Sequence, residues 1–92
     1  MKKRIHAYIS GNVQGVFFRR DIKAKADELG VKGFVRNLED GRVEAVFEGD
    51  SIKVDKIIEF CKNGPKFAQI KSVDARDETY SGDFKEFKIV NV

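Results

Sequence analysis

Cysteine, proline, methionine and histidine each occur once in the 92 residues, and tryptophan does not occur. A single Cys61 can build neither a disulfide framework nor a cysteine-based zinc site. The single His6 falls on the outward face of a strand, upstream of the loop singled out below, and is read as a solvated sheet residue rather than a catalyst. No apolar run approaches the ~20 residues that a membrane span needs. The opening MKKRIHAYIS has basic residues but no apolar h-region behind them, so no secretory signal is read there. A cytoplasmic protein is expected. Neither charge sign dominates, with 18 Lys plus Arg against 15 Asp plus Glu and a net charge of +3. The two signs are interleaved, which permits an anionic ligand but lacks the clustered basic stripe of a dedicated nucleic-acid binder. Asp74, Asp77 and Glu78 form a loose acidic group without a metal-ligand pattern and are expected to face solvent.

What remains is enough for one core. The length suits a single small domain over residues 1–92, and 41% hydrophobic with 36% charged residues gives a packed interior under a charged exterior. Ile5, Ala7 and Ile9 alternate with His6, Tyr8 and Ser10, the period of a strand with one buried face. From Phe18 the spacing changes to a helical stripe, Phe18, Ile22, Ala26 and Leu29, and Gly30 supplies a left-handed stop. Gly33 to Leu38 and Arg42 to Glu48 read as strands joined by a tight Asp40-Gly41 turn. Asp50 or Ser51 can cap a second helix with the stripe Val54, Ile57, Ile58 and Cys61. Gly64-Pro65 ends that helix. Strands are expected over Phe67 to Ala75 and near Phe84 to Val90, with Phe87 and Ile89 inward. The order strand, helix, strand, strand, helix, strand predicts an α+β, ferredoxin-like split βαβ sandwich (βαββαβ). Its two helices pack on one face of an antiparallel sheet, and the other face is partly solvated through His6, Tyr8, Glu44 and Glu48.

The segment GNVQGVFFRR joins the first strand to the first helix and puts Arg19 and Arg20 at the helix start. Cations are disfavoured at that end of the helix dipole, whereas anions are welcome. Glycines at Gly11 and Gly15 can turn backbone N–H groups inward to form an anion nest beside the unpartnered N–H groups of the helix start. A bound phosphate-sized anion would make an arginine there favourable, because its planar fork matches phosphoryl oxygens. Such loops also occur without ligands, and arginines there can point into water or pair with Asp21. Spacing alone leaves both readings open.

The residues resemble a known family. Gly11-Asn12-Val13-Gln14-Gly15-Val16-Phe17-Phe18-Arg19 is similar to the first signature of the acylphosphatases, GxVQGVxFR. Gly33-Phe34-Val35-Arg36-Asn37, followed by Gly41, Val43 and Gly49, resembles the second. The likeness extends to the Gly64-Pro65 break and the Phe87-Lys88-Ile89 ending. It implies hydrolysis of the carboxyl–phosphate bond of small acyl phosphates to a carboxylate and inorganic phosphate. By the same resemblance Arg19 binds the phosphoryl group, and Asn37 orients the attacking water. Backbone amides come from Gln14, Gly15, Val16, Phe17 and Phe18. Arg20 lies outside the motif and is read as a solvated helix residue. No metal and no cofactor are expected, since a carboxylate leaves readily and the transfer rests on positioning and charge stabilisation. The expected partners are a small acyl phosphate and inorganic phosphate, with no membrane or nucleic acid, and the chain is expected to be a monomer.

The rival readings are non-catalytic. RRM-type RNA-binding modules share the split βαβ layout, and Lys32-Gly33-Phe34-Val35 matches part of their RNP1 pattern. The aromatics that should follow are replaced by Arg36 and Asn37. A small-anion-binding module, or an acylphosphatase-like domain of a larger maturation protein, is the other alternative. The ending at Val92 favours a stand-alone enzyme.

Overall fold

The computed structural model describes residues 1–13, 16–64 and 69–91, with the backbone alone at Val16. Alternation makes β1 (Lys2–Asn12), which buries Ile5, Ala7 and Ile9. The 3.6-residue stripe makes α1 (Val16–Leu29), with Phe18, Ile22 and Ala26 buried; Gly30 ends it at φ 72°. Then come β2 (Lys32–Asn37), β3 (Val43–Asp50), α2 (Ser51–Asn63), β4 (Gln69–Glu78) and β5 (Phe87–Val90). The expected first residues of the fourth strand, Phe67 and Ala68, and Pro65 lie outside the described residues.

The sheet order is β4-β1-β3-β2-β5. β1–β3, β1–β4 and β2–β3 pair antiparallel, whereas β5 pairs parallel with β2, so the sheet is mixed rather than wholly antiparallel. The reason lies in residues 79–86, which carry the chain from β4 at one edge to β5 at the other and return it in the direction of β2. These residues cross the face opposite the helices, and their Ser81 and Gly82 are tied to Glu48 of the central strand. The predicted last strand is correspondingly shorter, because Phe84 belongs to the crossing segment and packs on Phe34.

Gly33 holds the β5 edge together by having no side chain. It pairs with Phe47 on one side and Phe87 on the other, and the two rings meet across it, stacked at 5.6 Å. A stacked aromatic pair adds about 0.5–1.5 kcal/mol beyond its buried area. A Cβ on Gly33 would lie 1.8 Å from the Val46 carbonyl oxygen.

The turn between β2 and β3 differs in detail from the expectation. Gly41 N–H donates to Leu38 C=O and Leu38 N–H to Arg42 C=O, which puts Glu39 and Asp40 at the corners. Gly41 follows them at φ 95°. Asp50 occupies the N-cap of α2 but makes no side-chain cap bond.

The second face is the main correction. Glu44 and Glu48 are only 7% and 2% exposed, not solvated. Glu48 accepts from Arg4, Ser81 and Gly82, and Glu44 from Arg36. His6, expected in solvent, has a side chain 19% exposed, with ring nitrogens 2.7 Å from Glu44 and 2.8 Å from Glu78. Asp74, Asp77 and Glu78 are exposed, as expected. Tyr8 stacks on His6 and has the Arg42 and Arg76 guanidinium groups at 4.9 and 5.7 Å from its ring. With Phe34 against Phe84 as well, the face is no open aromatic platform for stacking bases.

Candidate active site

β1, β2 and β5 all run in one direction, since β1 and β2 are each antiparallel to β3 and β5 is parallel to β2. Their carboxyl ends therefore gather at one end of the sheet, and α1 starts there. Ligand sites of sheets with parallel strands favour that end. Gly11, expected as a bend of the loop, instead lies inside β1 at a bulge against β4, where the register shifts between Ser10 and Gly11. Gln14 and Gly15 lie outside the described residues. Val16, Phe17 and Phe18 form the first turn of α1, whose N–H groups have no partner four residues back in the helix. Buried Phe18 anchors this turn in the core; Phe17 is exposed.

Arg19 follows on the α1 face turned to β5. Its Nη1 donates to Asn91 Oδ1 at 2.8 Å, and one turn later Lys23 Nζ donates to the Phe87 carbonyl at 2.9 Å. Asn37 is the last residue of β2 and, by alternation with Gly33 and Val35, lies on the helix side of the sheet. Arg19, Asn37, Val90 and Asn91 line a cleft of about 180 Å³. That is room for several waters at ~30 Å³ each. Asn37 Oδ1 is buried without a hydrogen-bond partner. Leaving a buried acceptor unsatisfied costs roughly 1–3 kcal/mol, so such an atom in a folded protein asks for a functional explanation.

The structure thus brings Arg19 and Asn37 to one cleft beside the α1 start. Arg20 is exposed, with its guanidinium 5.2 Å from the Phe17 ring centre. Among the described residues no three His, Cys, Asp or Glu side chains are placed to hold a metal ion. Cys61 is buried on the apolar face of α2, and burial pushes its thiol up to about 12, far from a reactive thiolate. Sequence reasoning missed Asn91. The alternation of Phe87 and Ile89 that marked the inward face of the last strand also places residue 91 on that face.

Residues 5–89 match the acylphosphatase family model. The chain is 49% identical to the acylphosphatase of Syntrophus aciditrophicus, over 98% of this chain and 94% of that one. It superposes on the acylphosphatase structure from Coxiella burnetii with a TM-score of 0.90 and 35% identity, covering 97% of this chain and 93% of that one. The acylphosphatase from Bacillus subtilis superposes equally well, with a TM-score of 0.90, 31% identity, and coverage of 98% of this chain and 99% of that one.

Proposed function

The chain belongs to the acylphosphatase family and is an enzyme of that type, and from that premise we propose that Arg19 and Asn37 are its catalytic pair. The observation that carries this reading is the unpartnered, buried Asn37 Oδ1 in a cleft shared with the Arg19 guanidinium. Arg19 binds the phosphoryl group of a small acyl phosphate. The amides of Gln14, Gly15, Val16, Phe17 and Phe18 complete an anion site at the start of α1. Asn37 accepts a hydrogen bond from a water molecule and aims its oxygen at phosphorus. As the water oxygen bonds to phosphorus, the phosphorus–oxygen bond to the acyl group breaks and the carboxylate leaves with the electron pair. One water proton stays on the phosphate and the other passes to solvent.

Because the leaving group is a carboxylate, no strong general acid is needed. Asn37 is neutral and serves by position rather than as a base. The catalytic work is alignment and stabilisation of spread negative charge, and no metal ion enters the scheme. We also read residues 1–92 as a single catalytic domain that acts in the cytoplasm as a monomer, without nucleic-acid partners. No helix among the described residues is long and apolar enough to cross a membrane.

Phosphate release from acetyl phosphate tests the reading, with an ordinary phosphate monoester and EDTA as controls. Hydrolysis should be confined to the acyl phosphate and unchanged by EDTA. Asn37→Ala should lower kcat at least ~10²-fold while phosphate affinity stays nearly intact. Full activity per folded Asn37→Ala molecule would remove Asn37 from the mechanism, and activity restored by Mg²⁺ after EDTA would refute the metal-free scheme.

A further inference from the structure

We propose that Asn91 is a positioning residue for Arg19, holding its guanidinium toward the cleft that both share with Asn37. The inference rests on the reading of Arg19 as the phosphoryl ligand and adds a residue to that site. The contact is direct, from Arg19 Nη1 to Asn91 Oδ1 at 2.8 Å. The backbone has put Asn91 there by two independent constraints. In the parallel ladder Arg36 pairs with Val90, so the next residues, Asn37 and Asn91, come level at the carboxyl ends of neighbouring strands. On the helix side, Lys23 grips the Phe87 carbonyl one turn below Arg19, which holds β5 against α1.

The residue type also fits the task. A guanidinium carries its five N–H donors in one plane, and an acceptor on one edge fixes the orientation of that plane. Asn91 accepts as a neutral amide. A carboxylate in its place would orient the arginine equally well but would offset its charge and repel the substrate's anionic phosphate. A long side chain held in advance also loses less freedom when the anion binds.

The test compares Asn91→Ala, Asn91→Asp, Arg19→Gln and the double variant Arg19→Gln/Asn91→Ala. Each is assayed for kcat and KM with acetyl phosphate, for inhibition by inorganic phosphate, and for its melting curve. Asn91→Ala should weaken phosphate inhibition and lower kcat/KM about 10-fold, the low end of the range for a hydrogen bond with a charged partner. Asn91→Asp keeps the acceptor, so its loss should fall on KM and phosphate affinity while kcat stays close to the parent's. Adding Asn91→Ala to Arg19→Gln should cost nothing further in phosphate affinity, because the arginine through which Asn91 acts is already gone. Equal losses from Asn91→Ala in the two backgrounds would overturn the proposal. A lowered melting temperature with unchanged kinetics per folded molecule would overturn it too, by making the contact a strand tie only. If Arg19→Gln itself keeps full activity, the underlying site reading falls, and this proposal with it.

Discussion

On the helix side of the sheet Ile9, Val35, Phe47 and Phe87 are sealed by apolar contact, whereas on the other side Glu44 and Glu48 are almost as deeply buried and are sealed by charge. The polar face is rich in groups that could do chemistry: a histidine between two carboxylates, two arginines and a serine. Each of these is engaged with a neighbour in the fold. The cleft at the sheet end is poorer in such groups, yet it holds the orphaned acceptor of Asn37 and the Arg19 guanidinium beside the α1 start. Reactive residue types therefore point to a face other than the proposed site. The unmet acceptor of Asn37 points instead to the cleft proposed as the active site.

The largest effect that would sharpen this contrast is at Arg19. Arg19→Gln should lower kcat/KM by at least ~10² and abolish most of the rise in melting temperature that inorganic phosphate induces. Arg20→Gln should do neither, and equal losses in the two variants would erase the distinction between them. Arg19→Lys should also be poor, since an ammonium cannot reproduce the planar fork.

An intermediate effect is expected on the polar face, and on stability alone. Burial pushes the Glu48 carboxyl up, but Ser81, Arg4 and Gly82 together hold it below its ordinary value; burial likewise opposes, and Arg36 and His6 outweigh it, at Glu44. Both groups therefore bind protons less readily in the folded chain than in the unfolded one. Their stabilisation is complete above the ordinary Glu value of ~4.3 and is lost as pH falls through the depressed folded values. Glu48→Gln should destabilise the chain by roughly 2 kcal/mol, within the range for hydrogen bonds to a charged group. It should also flatten the acid limb of the stability profile. Urea unfolding at several pH values measures both, and an unchanged acid limb would show that these carboxylates do not govern it.

The smallest effect should come from the residue that chemical intuition selects first. His6→Gln should cost under ~1 kcal/mol and leave acyl-phosphate turnover per folded molecule unchanged. A tenfold fall in kcat would break the comparison and bring His6 into the mechanism.

Much of this was legible from local pattern. The stripe of Phe18, Ile22, Ala26 and Leu29, the alternation in β1 and the stop at Gly64 reflect periods that a helix or strand imposes on its own sequence. Arg19 and Asn37 were marked by two contiguous motifs. The closure of the polar face was not legible, because Glu48 meets Ser81 and Gly82 only once residues 79–86 have crossed the sheet, and no local period encodes that crossing. Asn91 was hidden for a related reason. Its partner is 72 residues away in sequence, and only the parallel register of β2 and β5 brings it level with Asn37.

The shortness of β5 has a bearing on how the sheet edges are covered. The β4 edge carries Lys71, Asp74, Arg76, Asp77 and Glu78, all exposed, and such an alternation of charge discourages a second sheet from adding to it. β5 covers the opposite edge with four residues, Phe87–Val90. Were β5 to detach, it would uncover β2, whose Phe34 and Val35 would then border a row of free backbone donors and acceptors. That row is the natural template for strand addition between chains. The same contacts that bring residue 91 to the cleft, the Phe47–Phe87 stack and the Lys23 grip on β5, therefore also keep the β2 edge covered.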